Sequence, residues 1–149
     1  MIRRLFLRQP LPIYGNGSNV RDWLHVEDHC DAIWRIIEAG RVGETYNVGG
    51  DSERSNLEVV KLLTRLMSQE LNVDEAELTR LHTFVTDRPG HDQRYAIDAT
   101  KLKVELGWSP TRTFETGLAE TVRWYLANPD WVQSVETGAY RDWIQQHYA

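Results

Sequence analysis

The chain has 149 residues, enough for one domain with its own core and too few for two. Hydrophobic residues make up 41% and charged residues 26%, the balance of a soluble globular protein, and no apolar run nears the roughly 20 residues that cross a bilayer. The net charge of −5 argues against a general nucleic-acid binder, which would carry a basic patch. The single cysteine, Cys30, rules out an internal disulfide and a cysteine-rich zinc site, as expected of a cytoplasmic protein.

In chain order, residues 1–21 carry Arg3, Arg4, Arg8 and Arg21 with no acidic residue. "MIRRLFLR" has the arginine content of a mitochondrial presequence, yet it lacks serine and strand-like "QPLPIYG" follows at once. It reads as the remnant of an upstream helix, over residues 1–10. Residues 11–24 predict two extended pieces around an Asn16-Gly17 hairpin turn, with Pro12 confining the first piece to an edge. "VEDHCDAIWRIIEAG" predicts a helix. Ile33, Ile36 and Ile37, with Trp34 beside them, give the spacing of an apolar face, Glu27 and Asp28 suit its N-terminal end, and Gly40 stops it.

"GETYNVGG" predicts a strand over 44–48. "SNLEVVKLLTRLMSQEL" predicts a helix opened by a Ser55/Glu58 capping box, with Leu57, Val60, Leu63, Leu66 and Met67 on its apolar face. "LHTFVTD" predicts a strand that runs into the polar "TDRPGHDQRYAID". A short helix is expected from an Asp98 cap to Gly107, and a longer one over "TFETGLAETVRWYLANPD" with Leu118, Val122, Tyr125 and Leu126 on one face. The aromatic tail should be partly helical. Short strands alternating with helices, too few to close a sheet, indicate the α/β class and membership of a larger assembly.

The usual announcements of chemistry are missing. Neither G-x-G-x-x-G nor the phosphate-loop pattern appears, and "YGNGS" leads into Arg21-Asp22, not into a helix. There is no G-x-S-x-G elbow, and no tyrosine has a lysine at the fourth position after it. His25 and His29 have a spacing that permits a metal on a helix, but a third ligand would have to be Asp or Glu. They read as a polar helix start, with no metal site.

Three runs converge on a family: "LPIYGNGSNVRDWLHVEDHCDAI", "GETYNVGGDSERSNLEVV" and "TDRPGHDQRYAIDATKLKVELGWSPTRTFETGLAETVRWYL". In order and spacing they resemble the C-terminal part of dTDP-glucose 4,6-dehydratases, of the extended short-chain dehydrogenase/reductase superfamily. "R-D-W-x-x-V-x-D" and "G-x-x-Y-N-V-G" are general to the superfamily, whereas "D-R-P-G-H-D-x-R-Y-A-I-D" points to the nucleotide-sugar 4,6-dehydratase branch. The resemblance implies an enzyme with an N-terminal Rossmann domain for NAD and a smaller C-terminal domain for the nucleotide sugar. NAD oxidises the sugar C4 hydroxyl, water leaves across C5–C6, and the hydride returns to C6. Because the glycine fingerprint and the Tyr-x-x-x-Lys pair are absent, residues 11–149 are expected to be a mostly helical substrate-binding lobe. It would bind no cofactor by itself and have no catalytic residue.

The resemblance also implies which residues hold the nucleotide. Pro12, Ile13 and Tyr14 match a segment lying along the base, where a strand edge offers backbone groups and Tyr14 a stacking face; a plain hairpin with a core tyrosine is the alternative. Arg21 and Arg88 match arginines that grip the diphosphate, for which a guanidinium fork is suited. Asp22 and Asp87 stand beside them as competing internal partners. Asn56 matches a nucleotide-bonding residue, or serves the helix start after Ser55. Pro89 and Gly90 would turn the chain so that Arg88 and His91 face one pocket, with Asp87 and Asp92 bracing them. Tyr148 matches a tyrosine that reaches back to the ligand.

The function expected is therefore the dTDP-holding part of a dTDP-glucose 4,6-dehydratase. A non-catalytic nucleotide-sugar binding module is the alternative from another class, and a UDP-sugar epimerase or decarboxylase the alternative within the superfamily. Its partners would be a dTDP-sugar and either a separate Rossmann half or a second copy meeting an exposed apolar face.

Overall fold

The computed structural model describes residues 1–138; Tyr148 and the rest of 139–149 lie outside the described residues. Helix α1 (Ile2–Phe6) precedes strands β1 (Leu11–Tyr14) and β2 (Val20–Asp22), and helix α2 (Val26–Ala39) follows. Strand β3 (Glu53–Ser55) leads into α3 (Asn56–Leu71), then α4 (Glu75–Thr79) and β4 (His82–Val85). Three helices complete the described chain: α5 (Thr100–Leu106), α6 (Phe114–Ala127) and α7 (Pro129–Thr137). No described helix is long and apolar enough to cross a membrane.

The centre is α3. The Ser55 hydroxyl accepts the Glu58 N–H and the Glu58 carboxylate accepts the Ser55 N–H, a reciprocal cap worth about 1 kcal/mol. Val60, Leu63 and Met67 of this helix are buried with Leu5 of α1, Leu11 and Ile13 of β1, Leu78 of α4 and Val122 of α6, so the face read from the sequence is the core face. Asn72 takes a left-handed conformation to end the helix. A second cluster joins Ala32, Leu102, Leu106 and Trp108. The cap position of α5 is Ala99, not the expected Asp98, whose carboxylate accepts the Thr100 N–H at 2.9 Å from one residue earlier.

Three further expectations are corrected. The 11–24 hairpin does not form: β1 pairs in parallel with β4, and β2 antiparallel with β3. The turn closes from Gly17 N–H to the Tyr14 carbonyl, and the Gly17 and Asn19 carbonyls then accept the Leu57 and Asn56 N–H groups. The start of α3 thus takes the carbonyls that a hairpin would have used. Gly17 is also required by contact, since a Cβ there would meet Ile13 and Leu57 at about 3 Å.

Residues 44–48 form no strand. Side chains satisfy that segment instead: Lys101 donates to the Thr45 carbonyl, Asn47 to the Asp98 carbonyl, and the Tyr46 hydroxyl to Glu105.

The inward face of α2 is Asp28, Ala32 and Ile36; of the expected face only Ile36 packs inward, whereas Ile33, Trp34 and Ile37 are 45%, 59% and 68% exposed. Those three, with Val26, form an uncovered apolar stripe.

Candidate functional site

The polar run after β4 closes on itself and then docks on the loop between β1 and β2. Asp87 Oδ1 accepts the Arg88 N–H at 2.8 Å and lies 2.7 Å from His91 Nδ1. The turn closes from His91 N–H to the Arg88 carbonyl, with Gly90 left-handed at φ +69°, the conformation asked of Gly in the third position of such a Pro-Gly turn. The His91 ring meets the Tyr14 ring edge-on, centroids 6.2 Å apart. Gly15 lies close beneath: a Cβ there would sit 3.3 Å from Asp87 Oδ2.

Residues 92–95 fasten the other end. Val20 N–H donates to the Gln93 carbonyl, and Tyr95 N–H to the Val20 carbonyl. The Asn19 amide and the Arg21 guanidinium both donate to the Asp92 carbonyl, at 3.2 and 2.9 Å. Gln93 donates to Ser18, and Arg94 forms a two-pronged pair with Glu53 at 2.6 and 2.7 Å. A segment with no regular secondary structure is held by backbone and side-chain bonds on both flanks.

Of the expected site residues, Tyr14, Arg21, Asp87, Arg88 and His91 belong to this corner, and Pro89 and Gly90 form its exposed turn. Pro12 is half-buried in β1. Ile13 is 2% exposed as a whole residue and belongs to the core. Asn56 donates its N–H to the Asn19 carbonyl, while Ser55 does the capping, which leaves the Asn56 amide without a helix-start role. Tyr148 lies outside the described residues.

The competition between binding and internal pairing has a definite outcome. Both Asp22 oxygens are taken by the Gly50 and Ser52 N–H groups, at 2.7 and 2.8 Å, and Asp87 is occupied by His91 and the Arg88 N–H. Among the described residues, neither Arg21 nor Arg88 pairs with a carboxylate. Two cationic side chains, Arg21 on β2 and Arg88 on the segment docked against it, are left with unspent donors, an arrangement suited to a diphosphate.

Sequence reasoning missed two features. One is Tyr95, whose ring lies under Arg21; the arginine adjacent to it in sequence, Arg94, goes to Glu53 instead, so no local signal marked the pair. The other is a network around Arg112, which bonds Glu120 at 2.6 Å, Asp28 at 3.2 Å and Glu27. His25, Glu27 and Glu120 converge there, but the Arg112 guanidinium already supplies the positive charge. His25 itself caps α2 through Nδ1. A cavity of roughly 630 Å³ lies beside this network, lined by Trp23, Phe114, Trp124 and Trp131 among others, and it includes none of the corner residues.

A family model described as GDP-mannose 4,6 dehydratase matches residues 1–121. The chain belongs to that family. It is 55% identical over 142 residues to a dTDP-glucose 4,6-dehydratase of Xanthomonas campestris pv. campestris, covering 95% of this chain and 40% of that protein. The dTDP-glucose 4,6-dehydratase of Bacillus anthracis, solved in complex with NAD, is 45% identical, with a TM-score of 0.72 over 87% of this chain and 39% of that one. That of Streptomyces venezuelae, solved with NAD and dTDP bound, is 41% identical, with a TM-score of 0.73 over 87% of this chain and 38% of that one. The chain thus spans about two-fifths of the length of the curated relatives it matches.

The described residues contain no glycine fingerprint, and their strands form two separate two-stranded ladders.

Proposed function

We propose that this chain is the nucleotide-holding part of a cytoplasmic dTDP-glucose 4,6-dehydratase. Arg21 and Arg88 would take the diphosphate, with His91 Nε2 as the ring nitrogen left to face the ligand beside them. The edge of β1 and the half-exposed Tyr14 would receive the base. One observation carries this reading: Arg21 on β2 and Arg88 on the segment docked against it both lack a carboxylate partner among the described residues. NAD and the groups that move hydride and protons would come from polypeptide not represented here, so this chain alone has no turnover. The stripe Val26, Ile33, Trp34 and Ile37 would be covered by that polypeptide or by a second copy.

Calorimetric titration with dTDP, and separately with NAD, tests the proposal. Binding of dTDP that weakens more than about tenfold in Arg88→Ala is expected, as for loss of a charge-assisted phosphate contact, with no heat from NAD. A folded sample that ignores dTDP would overturn the reading, and equal affinity for UDP would remove the thymine preference.

A further inference from the structure

The two arginines are held differently. The Arg88 side chain has no hydrogen-bond partner among the described residues, whereas Arg21 is fixed on several sides. Its Nη1 donates to the Val20 carbonyl at 2.6 Å and its Nη2 to the Asp92 carbonyl at 2.9 Å. The guanidinium carbon sits 4.3 Å from the centre of the Tyr95 ring. Tyr95 is anchored in turn, by its N–H on the Val20 carbonyl at 3.0 Å and by its hydroxyl on the Asp92 carboxylate. That carboxylate also pushes the phenol above its ordinary range, so the ring is neutral at physiological pH.

A guanidinium has five N–H donors. Two are given to carbonyls here, which leaves three. A carboxylate partner would orient the group but cancel its charge; two carbonyls and an aromatic face orient it and leave the charge whole. The ring also keeps water from one face, which strengthens attraction to an anion.

Building on the diphosphate reading above, we propose that Tyr95 is a positioning residue for Arg21: its ring sets the guanidinium plane and so aims the unspent donors at a phosphate oxygen. Tyr95 itself need not touch the ligand. The ring face is what matters, and the hydroxyl only anchors it.

The test is a double-mutant cycle of dTDP affinity in the 149-residue chain, with far-UV circular dichroism to confirm folding. Tyr95→Leu should weaken dTDP about fivefold, the size of a partly exposed cation–π contact. Tyr95→Phe, which keeps the ring, should retain most of the affinity. In an Arg21→Ala background, Tyr95→Leu should cost nothing further, a result that a general structural role would not produce.

An equal loss with and without Arg21, or no loss in Tyr95→Leu, overturns the proposal, and so does a loss in Tyr95→Phe as large as in Tyr95→Leu. Failure of the unmutated chain to bind dTDP would instead overturn the reading of the site, together with everything built on it.

Discussion

Asp87 and His91 hold each other across the Pro89-Gly90 turn, with His91 Nδ1 2.7 Å from Asp87 Oδ1. The same oxygen accepts the Arg88 N–H, so one carboxylate fixes both the imidazole and the backbone of the arginine. With Nδ1 engaged, Nε2 is the ring nitrogen left for a ligand.

The His91 hydrogen bond, aided by the Arg88 N–H, holds the Asp87 carboxyl below its ordinary value. A depressed folded-state pKa stabilises the turn above the usual carboxylate range, and that contribution is lost as pH falls through the folded value. Asp87→Asn should weaken dTDP about fivefold, as for one charge-assisted bond, and leave the thermal midpoint almost unchanged because the pair is near the surface. Titration and thermal melts of the two proteins check this. A large drop in midpoint would mark Asp87 as structural instead.

Asp28 is a different kind of carboxylate, 3% exposed. Burial pushes its carboxyl up, but the Thr111 hydroxyl at 2.6 Å, the Arg112 N–H at 3.1 Å and the Arg112 guanidinium outweigh it and leave the group below its ordinary value. It ties α2 to the start of α6. Asp28→Asn should cost about 2 kcal/mol, the loss from a buried, hydrogen-bonded charge site, read as a lower urea midpoint at unchanged slope. The stabilisation is present above the unfolded carboxylate range and disappears as pH falls through the folded value.

His82 lies 2.8 Å from the Thr64 hydroxyl, which itself donates to the Val60 carbonyl. The imidazole therefore donates to Thr64 through Nε2. Burial, with Lys61 adding to it, pushes the His82 pKa below its ordinary 6.5. The unfolded chain then takes up the proton first. Stability should be full above that value and decline as pH drops below it. Urea midpoints at roughly pH 7.5 and pH 5 should differ in that direction, and the difference should shrink in His82→Gln. A midpoint that rises on acidification contradicts the assignment.

The uncovered stripe on α2 predicts self-association of the isolated chain, because a contiguous apolar surface seeks a partner. Sedimentation should show species larger than a monomer, and Trp34→Glu with Ile37→Glu should return a monomer without loss of fold. A monomeric unmutated chain would show that the stripe tolerates water.

Much was legible in the order of residues. Local signals were sufficient for α3, because its cap and apolar face lie within one stretch of chain: Ser55, Glu58, Val60, Leu63 and Met67 needed no distant partner to be read. The Pro89-Gly90 turn was readable for the same reason, and the motif around it pointed to the family. Non-local pairing could not be read. Asn16-Gly17 carries a hairpin signal, yet the strand partners are β4 and β3, tens of residues away, because α3 takes the carbonyls of the loop.

The α2 periodicity showed an amphipathic helix but not which face the rest of the chain would cover, and Asp28 overrode its apolar neighbours through bonds to Thr111 and Arg112. The sequence by itself determined the residue types of the polar corner after β4. Only the tertiary structure decided that Asp22 and Asp87 are occupied elsewhere and that Tyr95 lies under Arg21. Whether an arginine is neutralised depends on distances between segments, and sequence spacing carries no such distances.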